Sequence, residues 1–394
     1  MTTLISFLGK GKEKGGAYRT ANYRFEDKTR TVPFFGMALA EYLQPERLIL
    51  IGTSGSMWDV FFVGDSAGDA ALLDLIEAVH RSAVTDAMLA EHSRHFSQKL
   101  GYPVECLLID YARDEKGQVD LLARLAKKLH ENEHIALDIT HSFRHLPMLA
   151  LVAARFLTRV KKIVVDDIYY GALEMTENDE TPVIHLKGML GMLDWVDALA
   201  AYDQTGYYSV FSPLYDRAGK HETAEQLRKA SFFERVRQAG QARKILNRIH
   251  SGDASPMLDL FQPELNKRIA WAKSPRYSER QEQLAQTCLE NGDYENAAIF
   301  GFEAAVSRRL QSQNNSDPLN YDQRKEAKDN LDQEARPRNG RTLAQQSYLD
   351  LRELRNALAH GTRSDFREIQ RALDSEESLR DFLVKRLRDV RDLQ

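Results

Sequence analysis

Through the first 190 residues, short apolar runs alternate with longer stretches of helical periodicity, and beyond that point the apolar runs stop. Residues 4–8, 48–52, 104–110, 134–138 and 163–170 each predict a strand, because consecutive apolar positions are bounded there by polar or glycine-containing turns. Between them, residues 67–100 and 120–131 repeat their apolar positions at helical spacing. Strands alternating with helices predict an α/β architecture with a mostly parallel, doubly wound sheet. Ligands of such sheets bind outside the carboxyl ends of the strands, near the point where strand order reverses. After Leu190 the pattern predicts amphipathic helices to the C-terminus, with polar breaks near residues 217–221, 251–256 and 314–320. The expected parts are an α/β domain over residues 1–190, a helical connecting region over 191–275 and an all-α domain over 276–394. Residues 311–341 are polar and charged, which predicts a mobile connection carrying one short helix.

Three polar turns fall where predicted strands end. Gly9-Lys10-Gly11 follows the first apolar run and forms a tight loop able to approach an anion closely. Its glycines, continued by Gly15, miss the dinucleotide spacing, and no helix opens after them, so neither a Rossmann fingerprint nor a Walker loop is present. Thr53-Ser54-Gly55-Ser56-Met57-Trp58 is rich in hydroxyl groups and reads either as a ligand-facing turn or as a helix cap. Asp138-Ile139-Thr140-His141-Ser142-Phe143-Arg144-His145-Leu146-Pro147 runs from a strand into a helix. There Thr140 or Ser142 is expected to cap the helix and Pro147 to occupy its first turn. Free backbone N–H groups beside Arg144 and His145 would then attract an anion. Tyr170 and Gly171 end the fifth strand.

Near the C-terminus, Leu343, Ser347, Leu351, Leu354 and Leu358 keep the spacing of a buried helical stripe, and Gly361 supplies the stop. The same helix carries Arg355-Asn356-Ala357-Leu358-Ala359-His360, a permanent cation and an imidazole in its last turns. The guanidinium suits two-pronged phosphate binding, and the imidazole suits proton transfer. Asn356, four residues before His360, shares its helical face.

Composition narrows the function classes. Hydrophobic residues at 43% and charged residues at 28% point to an ordinary globular chain rather than a disordered one. No apolar stretch is long enough to span a bilayer and no signal-peptide pattern opens the chain, so a cytoplasmic protein is expected. Cys106 and Cys288 are too few for a disulfide framework or a thiolate zinc site and read as core residues. His92 and His95 read as surface residues, and no metal-ligating constellation stands out. A net charge of -4 gives no global nucleic-acid signal. Locally, residues 336–363 hold six arginines against Asp350 and Glu353, a basic stretch around the Arg355–His360 segment.

The two motifs together, in this order, resemble those of the CARF-HEPN proteins associated with type III CRISPR systems. The 138–147 segment is similar to the D-x-T-H-G-F-R-x-x-P sensor motif of one branch, with Ser142 standing where that family often has glycine. The 355–360 segment resembles the R-N-x-x-x-H motif of HEPN ribonucleases. Gly52 to Trp58 and Tyr170-Gly171-Ala172 look like the family's other turns, so the resemblance covers nearly the whole chain. It implies a Rossmann-like doubly wound CARF sensor domain followed by an all-α HEPN domain. The implied activator is a cyclic oligoadenylate, cyclic tetra-adenylate or alternatively cyclic hexa-adenylate, contacted by Gly9, Lys10, Gly11, Thr53, Ser54, Ser56, Thr140, His141, Ser142, Arg144, His145 and Tyr170. The implied reaction is metal-independent cleavage of single-stranded RNA by attack of its own 2′-hydroxyl, with Arg355, Asn356 and His360 catalytic and no cofactor. One helix supplies a single Arg–His pair, so a homodimer, or a higher oligomer, with composite sites is expected. Two other readings compete. One is a nucleotide-sensing module that recruits RNA or protein without cutting. The other is a nicotinamide-dependent enzyme, which the glycine spacing disfavours.

Overall fold

The computed structural model describes residues 2–10, 13–14, 17–18, 20–26, 28–63, 69–249, 256–312, 316–337 and 339–393. The chain divides into two compact units, Met1–Gly191 and Met192–Gln394.

The strands of the first unit are β1 (Thr2–Phe7), β2 (Glu13–Lys14), β3 (Ala17–Tyr18), β4 (Ala21–Arg24), β5 (Thr29–Val32), β6 (Arg47–Gly52), β7 (Val104–Leu108), β8 (His134–Asp138), β9 (Val164–Gly171) and β10 (Thr181–His185). Eight of them form one sheet in the order β5-β4-β10-β9-β8-β1-β6-β7, and β2 and β3 pair separately. β9, β8, β1, β6 and β7 are mutually parallel, the five strands predicted from the apolar runs. The extension is mixed, because β10 runs antiparallel to β9 and β5 antiparallel to β4. These added strands were not expected. They are short and carry polar, half-exposed residues at the edge, so no apolar run marks them.

Among the described residues, six α-helices accompany this sheet: α1 (Phe35–Leu43), α2 (Trp58–Phe62), α3 (Asp69–His80), α4 (Asp86–Leu100), α5 (Glu115–Lys128) and α6 (His145–Val160). Alternate residues of the central strands enter different cores. Leu4, Leu48 and Leu50 pack with Phe34, Trp58 and Phe61. Ile5, Phe7, Ile49 and Ile51 pack with Leu121, Leu146 and Ala150 of α5 and α6. Burial on both faces is what makes these strands continuous apolar runs. The single helical stretch expected over 67–100 is two helices, because Ser82 adopts φ 52 and Thr85 caps α4 through its side chain. His92 is a correction to its surface reading: it lies on the inward stripe of α4 with Leu89 and Phe96, and its ring stacks 5.2 Å from Phe62.

The second unit is helical: α7 (Lys187–Thr205), whose first turn precedes the division, is followed by α8 (Ser212–Arg217), α9 (His221–Arg235), α10 (Ala239–Leu246), α11 (Pro256–Arg268), α12 (Tyr277–Glu290), α13 (Tyr294–Gln311), α14 (Tyr321–Ala335), α15 (Leu343–His360), α16 (Arg367–Ala372) and α17 (Glu376–Asp389). One hydrophobic core runs from Trp195 through Phe302 and Tyr348 to Leu387. α14 is a fifteen-residue helix that buries Ala327, Leu331 and Ala335, so the segment expected to be mobile is packed. α15 opens on a capping box between Thr342 and Gln345 and closes on Gly361 at φ 61. Its buried stripe begins at Ala344 rather than Leu343, which is 72% exposed, and continues through Ser347, Leu351, Leu354 and Ala357. Both cysteines are partly buried against the cores, and burial pushes their thiols up, which makes them poor nucleophiles.

Candidate functional site

Strand order reverses between β8 and β1: the chain passes from β1 to β6 and β7 on one side, then returns to β8 and β9 on the other. The turns that follow β1, β6 and β8 meet at this switch point. Gly9 lies so close to the β8 turn that a Cβ there would stand 2.7 Å from the Ser142 backbone N and 3.3 Å from His141 Cβ. Only glycine fits. Ser142 itself adopts φ 107, a conformation natural to glycine. Gly11 lies outside the described residues.

Side chains within the turns lock them together. Ser56 Oγ donates to the Leu8 carbonyl at 2.9 Å and accepts from the Thr53 N–H at 2.9 Å. Met57 N donates to the Gly9 carbonyl, and the Trp58 indole N–H donates to the Thr53 carbonyl, both at 2.9 Å. Asp138, at the end of β8, is fully buried and accepts from Ser6 Oγ at 2.5 Å and Thr140 N at 2.9 Å. Burial pushes its carboxyl up to about 6. Thr140 Oγ1 accepts from Gly171 N at 2.8 Å, joining this turn to the end of β9.

The histidines of the motif are both engaged. His141 Nε2 accepts from Phe35 N at 3.1 Å, which requires the neutral ring, and burial holds its pKa down to about 4. His145 Nε2 donates to the Tyr111 carbonyl at 2.8 Å. Thr140 and Ser142 do not cap α6; Arg144 is the N-cap residue, with no side-chain cap bond, because Thr140 is turned toward β9. Pro147 falls in the first turn of α6.

The candidate residues therefore separate by role. Gly9, Thr53, Ser56, Thr140 and His141 hold the turns against one another, with Thr53 and Ser56 only 2% and 3% exposed. Lys10 and Arg144 are exposed and engaged by no partner among the described residues, and Ser54 and Ser142 are half-buried. Tyr170 is half-buried on β9, paired with Ile184. Sequence reasoning passed over Ser6 and Asp138 as site residues. A lone serine between Ile5 and Phe7 in an apolar strand was the available signal.

In the helical unit, Arg355 and His360 leave α15 in different directions. Five residues of α-helix separate them by about 140° around the axis. Arg355 extends over the Phe302 ring, 4.8 Å from its centroid, with Nη1 3.9 Å from Glu303 Oε1. His360 is the exposed last residue of the helix, and Asn356 is half-buried one turn before it. Glu303 was not singled out from sequence, since only tertiary packing brings α13 beside α15. The arginine-rich stretch is less free than its composition suggested. Arg352 bonds to Asp332 and Glu353, both at 2.8 Å, and Arg341 donates to Gln346 at 2.7 Å.

Comparison with known proteins accords with this geometry at the N-terminal unit. Residues 3–174 match the family described as CRISPR system endoribonuclease Csx1, CARF domain. The CRISPR-associated protein MJ1674 of Methanocaldococcus jannaschii is 25% identical over 303 residues, 68% of this chain and 47% of that protein. The chain thus spans about half the length of this curated relative. The solved structure of Enterococcus italicus Csm6 bound to cyclic hexa-2'-fluoro-hexa-dAMP is similar over 100% of this chain and 93% of that one. Its sequence identity is 12% and its TM-score 0.42, a likeness too distant to build on. The N-terminal unit is a CARF domain on a mixed sheet, and a mostly helical region follows it. Among the described residues, no helix is long and apolar enough to cross a membrane.

Proposed function

We propose that this chain is a sensor and effector in one: its CARF domain binds a cyclic oligoadenylate, and a HEPN ribonuclease domain over residues 276–394, within the helical unit, then cuts single-stranded RNA. The observation that carries the reading is the switch point of a CARF domain, where Gly9 and Ser142 bring three turns together beside Lys10 and Arg144, exposed cations with no partner among the described residues. Phosphates of a ring suit that arrangement, since two exposed cations stand on turns whose backbones approach closely. Ring size is left to experiment between cyclic tetra-adenylate and cyclic hexa-adenylate.

Cleavage proceeds by attack of a 2′-hydroxyl on its own phosphate. His360 exchanges the proton and Arg355 stabilises charge on the phosphorane, so the chemistry needs no metal. Asn356 orients the imidazole or the phosphate. Because Arg355 and His360 point apart on one helix, the working pair is assembled from two chains. An exposed apolar stripe on α6 supports the homodimer: Met148, Val152, Phe156 and Val160 are 69%, 66%, 51% and 59% exposed at i, i+4 spacing.

The test is a titration of single-stranded RNA cleavage against each ring, with EDTA present. Wild type should be stimulated and should leave a 2′,3′-cyclic phosphate. Arg355→Ala and His360→Ala should each lose about two to four orders of magnitude without losing ring binding. Arg144→Ala should shift the activation midpoint to higher ring concentration and recover much of its rate at saturation. Obligatory magnesium, or retained cleavage in the helix variants, would overturn the mechanism. Ring binding without any cleavage would instead leave a sensor that recruits RNA.

A further inference from the structure

Beside Arg355 lies a cleft that the Arg–His chemistry does not account for. It has a volume of about 490 Å³ and is lined by Tyr277, Gln281, Phe300, Glu303, Leu319 and Arg324, with Arg355 also on its wall. Tyr277, Phe300 and Leu319 give it an apolar side, and polar or charged side chains supply the other half of its lining, an arrangement that suits a flat ring with polar edges.

The orientation of Gln281 follows from the hydrogen bonds behind it. Arg324 Nη1 donates to Ser307 Oγ at 2.8 Å. A guanidinium cannot accept, so the hydroxyl accepts from it and keeps its own proton for Gln281 Oε1, 2.6 Å away. With the amide carbonyl facing Ser307, the NH2 group of Gln281 is the end turned away from it. Gln281 is only 5% exposed and lines the cleft, and its NH2 has no partner among the described residues. A donor held by a buried residue and open only to the cleft suits a ligand that brings an acceptor. Glu303 is held by Arg324 through one carboxylate oxygen, while the other faces Arg355 at 3.9 Å.

We infer that this cleft is a nucleobase pocket: one base of the RNA strand next to the scissile phosphate enters it, presenting a carbonyl oxygen or ring nitrogen to Gln281 Nε2. The base lies against Tyr277, and Arg355 holds the neighbouring phosphate. The inference rests on the ribonuclease reading above and extends it from a cut to a preference for what is cut. Gln281 and Tyr277 are specificity residues, distinct from the proton-transfer machinery.

The experiment uses Gln281→Glu, Gln281→Leu and Tyr277→Phe in the full chain. The glutamate still accepts from Ser307 but turns the cleft-facing donor into an acceptor. Cut positions on a random-sequence single-stranded RNA, with ring present, are read by sequencing the new ends. Wild type should prefer particular bases at one position relative to the cut. Gln281→Glu should change that preference by on the order of tenfold, Gln281→Leu should flatten it, and Tyr277→Phe should preserve it. An unchanged preference in both Gln281 variants overturns the pocket. If wild type cuts no RNA with either ring, the ribonuclease reading fails on its own. The pocket is then decided by fluorescence anisotropy with homopolymeric A, C and U oligonucleotides. Relative affinities that differ between wild type and Gln281→Glu support it, and identical ones overturn it.

Discussion

Asp138 and His141, three positions apart in the β8 turn, hold opposite preferences for the proton. Burial raises the carboxyl to about 6 and lowers the imidazole to about 4. The folded carboxyl keeps its proton to higher pH than an unfolded one, so its contribution to stability is greatest at low pH and falls as pH rises from about 4 to 6. The folded imidazole resists protonation, so its contribution is full above about 6.5 and is lost as pH falls toward 4. Each amounts to on the order of 3 kcal/mol, and over the same interval they oppose one another. Asp138→Asn should uncouple them, since an amide can still accept from Thr140 N and can donate to Ser6. Relative to wild type, its melting temperature should be higher at pH 7.5 than at pH 4.5; a difference independent of pH would refute the assignment. Residues of this kind set the limit of what the sequence discloses. Arg355, His360, Thr140 and Arg144 were legible as candidates because their spacing along the chain carries the pattern. Ser6, Glu303 and Gln281 were not, because each acquires its role only from a partner on another element.

At the level of elements, the candidate site depends on how closely the β1 turn approaches the β8 turn. Gly9→Ala would place a methyl 2.7 Å from the Ser142 N, against backbone that cannot swing aside. We expect a loss of about 1 to 3 kcal/mol in stability and weaker ring binding by titration calorimetry. Gly101→Ala is the control. It strains a residue at φ 79 with nothing within 4 Å of the added methyl, so it should cost about 1 to 2 kcal/mol and leave ring binding unchanged. Equal effects of the two on binding would remove Gly9 from the site. The five parallel strands were legible because both faces are buried, which writes them as uninterrupted apolar runs. β4, β5 and β10 lie toward one edge, where Thr29-Arg30-Thr31 and similar segments need only every second residue inside. The cap of α6 was misread for a related reason: Thr140 is an adequate cap by type, but the N–H of Gly171 on a distant strand claims its oxygen.

For the whole molecule, the α6 stripe is the natural place for two copies to meet. Phe156→Glu puts a charge in its centre without touching the buried face of Leu146, Ala150, Ala153, Ala154 and Leu157. Sedimentation velocity should show wild type as a dimer and the variant shifted to monomer, with ring-stimulated cleavage lost alongside. A dimeric Phe156→Glu would assign the interface elsewhere. The divergence of Arg355 and His360 around α15 has a genetic counterpart. Suppose each working pair joins an arginine from one chain to a histidine from the other. A dimer of one Arg355→Ala chain and one His360→Ala chain then contains one pair lacking both groups and one that is whole. Two inactive proteins, co-expressed and assorted at random, should complement one another to about a quarter of the wild-type rate. If each chain used its own pair, every combination of the two would stay silent.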